Sequence, residues 1–140
     1  MRSAKPLLLI EGSLGEAMIV RRALGELGIK KELVHVPDAE EALRYLRSPV
    51  ETKPALILLD LNLPGMNGVE LLETIKADPA LAEIAVVVLS TSDERRDILD
   101  SFDRSVAGYI VKPADYASLV ETLKIVQDYW SLNHLPACHN

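Results

Sequence analysis

Three side chains of different chemistry each close an apolar run. Asp60 follows Ala55–Leu59, Ser90 follows Ala85–Leu89, and Lys112 follows Gly108–Val111. Burying an unpaired carboxylate is costly, so an acid at such a place points out of the fold's edge rather than into a core. A strand-end aspartate can act as a nucleophile in phosphoryl transfer when a divalent cation neutralises the crowded oxygens. The group being transferred spreads charge over three oxygens, and an amine, a hydroxyl and a metal ion suit those three. Asp60, Lys112 and Ser90 are the protein's share of that set, and Glu11, closing the first apolar run, offers a carboxylate to the cation.

For these residues to meet, the runs must be neighbouring strands. Leu7–Glu11, Glu32–Val36, Ala55–Asp60, Ala85–Ser90 and Val106–Val111 read as strands. The first, third and fourth are unbroken in their apolar character, the mark of parallel strands covered on both faces. Between them lie helical patterns over Leu14–Leu27, Ala39–Arg47, Gly68–Ala77, Asp93–Asp103 and Asp115–Leu132. Ser13 with Glu16, Asp38 with Glu41, Asn67 with Glu70 and Thr91 with Glu94 have the spacing of reciprocal helix caps. Five strand–helix units with short connections specify an α/β fold, a doubly wound, flavodoxin-like parallel sheet. Such sheets bind ligands at the carboxyl edge, where the three strand-end residues would converge.

With 140 residues, nearly half of them apolar, the chain is one domain able to bury roughly 68–70% of its unfolded surface. A net charge of −6 leaves no basic stripe for phosphates, which excludes nucleic acid as a partner. The single cysteine, Cys138, has no intrachain partner, and no run approaches a membrane span or a leader peptide. The expected location is the cytoplasm. His35, His134 and His139 lack a paired ligand spacing and are not read as metal ligands.

The run Leu58-Leu59-Asp60-Leu61-Asn62-Leu63-Pro64-Gly65, a serine thirty residues after Asp60 and the Tyr109-Ile110-Val111-Lys112-Pro113 stretch resemble the receiver domain of two-component response regulators. The resemblance covers nearly the whole chain. It implies a five-stranded sheet in the order 2-1-3-4-5, with Asp60 as phosphoacceptor, Ser90 as switch hydroxyl and Lys112 as phosphoryl-binding amine. It also implies that Asn62 offers a backbone carbonyl to the metal, that Tyr109 moves with Ser90, and that Lys112–Pro113 is cis. The cofactor it implies is Mg2+, with Mn2+ as a substitute, and the partner a sensor histidine kinase. The long last helix and the Leu-Asp-Leu-Asn-Leu-Pro run are similar to stand-alone receivers that partner phytochromes. On that basis residues 1–132 are the receiver, 133–140 a tail with no separate output domain, and a homodimer forms through the face of the last helices, with Tyr129, Trp130 and Leu132 at the interface.

One position departs from the family. Receivers place two acidic residues after the first strand, whereas here Glu11 is followed by Gly12. Magnesium binding depends on carboxylate count, so its affinity is expected to fall by at least about ten-fold. Glu16 is a candidate substitute, although its spacing from Ser13 makes a helix cap the simpler reading. Gly12 also favours an alternative, a docking module that works without phosphorylation. A haloacid-dehalogenase-type phosphohydrolase is disfavoured because Asn62 stands where that family has a second aspartate. An FMN site at Gly12–Gly15 is disfavoured because Glu11 and Glu16 would repel a phosphate.

Overall fold

The apolar runs fold as five parallel strands in a computed structural model that describes residues 5–29, 31–91 and 93–132, with side chains to Tyr129. The strands are β1 (Leu7–Ile10), β2 (Leu33–Val36), β3 (Leu56–Leu59), β4 (Ala85–Ser90) and β5 (Gly108–Val111), and their order is β2-β1-β3-β4-β5. Pairing is in register at the carboxyl ends: Ile10 lies beside Leu59, Leu59 beside Val88, and Ser90 beside Val111. Helices α1 (Leu14–Glu26), α2 (Ala39–Arg47), α3 (Gly68–Ala77), α4 (Arg95–Asp103) and α5 (Tyr116–Leu132) cover both faces.

Alternation along each strand divides the core in two. Leu8, Ile10, Ile57, Leu59, Val86 and Val88 pack with Leu46, Leu71, Leu72 and Ile75 from α2 and α3. Leu7, Leu9, Leu56, Leu58, Val87 and Leu89 pack with Val20, Leu24, Leu119 and Leu123 from α1 and α5. Because both faces are covered, every residue of β1 and β3 is buried. Each such leucine contributes about 1.5–3 kcal/mol, so strand ends are fixed firmly in space.

Helix α4 is the exception. Ser101 is its only buried residue, while Leu99 and Phe102 are half exposed. It begins at Arg95 behind Glu94, with no side-chain cap, so the reciprocal cap expected of Thr91 and Glu94 does not form. The Thr91 hydroxyl instead accepts from Asn62 Nδ2 at 3.4 Å. The Asn67–Glu70 cap is complete in both directions. No cis peptide occurs among the described residues; Lys112–Pro113 is trans, the form an X–Pro bond favours by about 0.5–1 kcal/mol. The side chains of Trp130 and Leu132, and the tail 133–140 with His134, Cys138 and His139, lie outside the described residues. Tyr129 is exposed on α5.

Candidate functional site

The backbone ladder carries the chemistry-bearing residues one step past the strands. Glu11 N–H donates to Val36 O, Asp60 N–H to Ile10 O, and Lys112 N–H to Ser90 O. These bonds extend the pairing by one residue, so the side chains of 11, 60 and 112 leave the sheet together at its carboxyl edge. The loop after β3 is shaped by two glycines. Gly65 has a φ of +75°, a conformation an L side chain rarely adopts. At Gly68 a Cβ would stand 2.5 Å from Leu61 Cα and 2.9 Å from Asp60 O, so the start of α3 lies directly against the Asp60 backbone.

Lys112 Nζ donates to Glu11 Oε1 at 2.6 Å, Asp60 Oδ2 at 3.1 Å and Glu16 Oε1 at 3.2 Å. Asp60 Oδ1 accepts from Asn62 N–H at 2.8 Å and from the Ser90 hydroxyl at 3.3 Å. The trio of Asp60, Ser90 and Lys112 is therefore one constellation, 30 and 52 residues apart along the chain. The Lys112, Glu11 and Asp60 side chains are only 8%, 4% and 7% exposed, so their interactions are screened far less than surface pairs. Burial pushes the Glu11 carboxyl above its usual range, and the Lys112 bond and charge only partly offset this. Burial pulls Lys112 down, but the bond to Glu11 and the charges of Asp60 and Glu11 outweigh it, leaving the ammonium above its ordinary value.

Tyr109 is half-buried on β5 and packs against the α2–α3 layer. Asn62 is exposed at the rim, and its backbone oxygen lies 3.5 Å from where a Cβ on Gly12 would stand. Among the described residues no group of three or more acidic, histidine or cysteine side chains forms a ready cation cage; the ammonium of Lys112 lies where the carboxylate oxygens converge.

Glu16, a candidate substitute ligand in the sequence, and His35, which the sequence does not assign to the site, both reach it. Ser13 Oγ accepts from Glu16 N–H, but the Glu16 carboxylate turns to Lys112 instead of returning to the cap. His35 Nε2 lies 2.8 Å from the Glu11 backbone carbonyl, tying β2 to the end of β1. The only signal for either was position: one in the first turn after β1, the other on the neighbouring strand.

A profile of the response regulator receiver domain matches residues 7–124. The chain belongs to that family. Among relatives of this receiver, the probable methanogenesis regulatory protein FilR2 of Methanothrix harundinacea is 35% identical over 127 residues, covering 89% of this chain and 82% of its own. The structure of the phosphorylated cyanobacterial phytochrome response regulator RcpA superposes with a TM-score of 0.88 at 40% identity, covering 96% of this chain and 99% of that one. The Mn(2+)-bound form of response regulator Rcp1 gives 0.86 at 33% identity, with 95% and 99% covered. The receiver fold and its relation to phytochrome response regulators thus rest on sequence and structure together. No helix among the described residues is long and apolar enough to cross a membrane.

Proposed function

We propose that this receiver is a phospho-accepting switch. A carboxylate oxygen of Asp60 attacks the phosphorus of a phosphohistidine on a sensor kinase; the new O–P bond forms as the N–P bond breaks, and the imidazole leaves. What carries the reading is the position of Asp60 between the Lys112 ammonium and the Ser90 hydroxyl at the carboxyl edge. Lys112 supplies positive charge to the arriving oxygens and Ser90 a hydroxyl donor, while Asn62 N–H holds Asp60 in place. Glu11, Asp60 and the Asn62 carbonyl are all hard oxygen donors, the chemistry that Mg2+ and Mn2+ select, and they would hold the cation. When bound, that cation neutralises charge on the transferring group.

Output is by protein–protein contact, after Ser90 and Tyr109 shift and repack the surface near α4 and α5. The relation to phytochrome response regulators makes a phytochrome a candidate kinase. A homodimer through the α5 face, with Tyr129, Trp130 and Leu132, completes the proposal, and the expected location is the cytoplasm.

A second reading, a docking module that needs no phosphoryl group, is favoured by Gly12 alone. One experiment separates the two: phosphoryl transfer from a labelled small phosphodonor while magnesium is titrated, with Asp60→Asn as control. Magnesium-dependent label on the parent but not on the variant supports the switch. No label at any metal concentration leaves the docking module.

A further inference from the structure

Position 12 is hemmed in. A Cβ there would stand 3.0 Å from Pro64 Cδ, 3.5 Å from Asn62 O and 3.7 Å from Pro37 O. Glycine fits this packing, and the loop after β1 therefore brings one carboxylate fewer to the cation. The same loop shows an exchange of partners around α1. In a reciprocal cap the Glu16 side chain would accept from Ser13 N–H. Here Ser13 N–H donates to Glu11 Oε2 at 3.2 Å, and Glu16, released from that duty, reaches Lys112.

From this arrangement we infer that Glu16 is the third acidic group of the cation site, supplying from the first turn of α1 the charge that position 12 lacks. The inference rests on the phospho-accepting reading of Asp60. Glu11, Asp60 and Glu16 set three carboxylates against one ammonium, a negative excess that a divalent cation cancels. Without Glu16 the same cation would leave the site positive. The Glu16 side chain is 46% exposed, against 4% and 7% for the other two acids. It therefore faces the solvent side of the pocket and can pass from ammonium to cation at little desolvation cost.

The test is a calorimetric titration of Mn2+ into the whole protein. Glu16→Gln should weaken binding by about ten-fold, as loss of a supporting carboxylate does, and Glu16→Asp should fall between. Gly12→Asp added to Glu16→Gln should restore most of the loss. Glu40→Gln, at an exposed position of α2, should bind like the parent. Unfolding midpoints without metal accompany each titration, because a purely structural role would move those and not the affinity. Affinity unchanged in Glu16→Gln, or a parent that binds no manganese, overturns the inference. Should the double variant not fold around Pro64, the Gln and Asp variants decide alone. Labelling of Asp60 in the same samples keeps the two readings apart. Label on Glu16→Gln with the parent's manganese dependence removes only the role of Glu16. A parent that binds manganese yet takes no label removes the acceptor reading.

Discussion

Lys112 Nζ lies closer to Glu11 than to Asp60, at 2.6 Å against 3.1 Å. The lysine thus has a structural partner as well as a chemical one. Lys112→Met should cost about 3 kcal/mol near neutral pH, the low end of what stranding a buried ion costs. The pH dependence follows from both shifts. A raised Lys112 contributes stability that is complete below its unfolded value and lost as pH rises through its folded one. A raised Glu11 favours the protonated fold, so its penalty sets in as pH rises and vanishes on acidification. Without the lysine that penalty grows. Urea midpoints should therefore separate parent and variant widely at neutral pH and much less near about pH 4; an equal gap at both would contradict the pairing.

Gly68→Ala should destabilise by about 2–3 kcal/mol, because the clash is with backbone that cannot move aside, Leu61 Cα and Asp60 O. Gly25→Ala is the contrast. It lies in α1 with nothing within 4 Å of the added carbon, and should stabilise by about 0.5–1 kcal/mol. Thermal unfolding of the two variants should move in opposite directions.

Gly12→Asp should tighten magnesium binding by about ten-fold if the new carboxylate reaches the cation. Pro64 Cδ at 3.0 Å must first give way by a few tenths of an ångström. Pro64→Ala in the same chain relieves that contact and should raise the gain. A folded double variant whose magnesium titration matches the parent would show that position 12 lies outside the site.

Ser101→Ala should stabilise by about 1 kcal/mol. The Ser101 hydroxyl is fully buried and has no hydrogen-bond partner among the described residues, so removing it relieves a desolvation penalty. A loss of stability in a chemical denaturation curve would mean that the hydroxyl has a partner after all.

Four strand ends are legible because the apolar run there stops at a polar or charged residue. That pattern located Asp60, Ser90, Lys112 and Glu11, and the sheet order brought them together. Helix caps were less legible, since spacing names a pair but not what else competes for it. Asn67 and Glu70 bond each other in both directions and close their cap. Thr91 is drawn to Asn62, and Glu16 to a lysine 96 residues away. Neither competitor is visible until the sheet edge is assembled. For the same reason α4 begins at Arg95, two residues later than its sequence pattern implies.

An ammonium carries three N–H bonds, and Lys112 Nζ has three different acids within 3.2 Å to receive them. The resting pocket thus has its own cation fully engaged. Any anion that comes to share that lysine must evict a resident, which makes occupancy of this pocket an act of substitution, not addition.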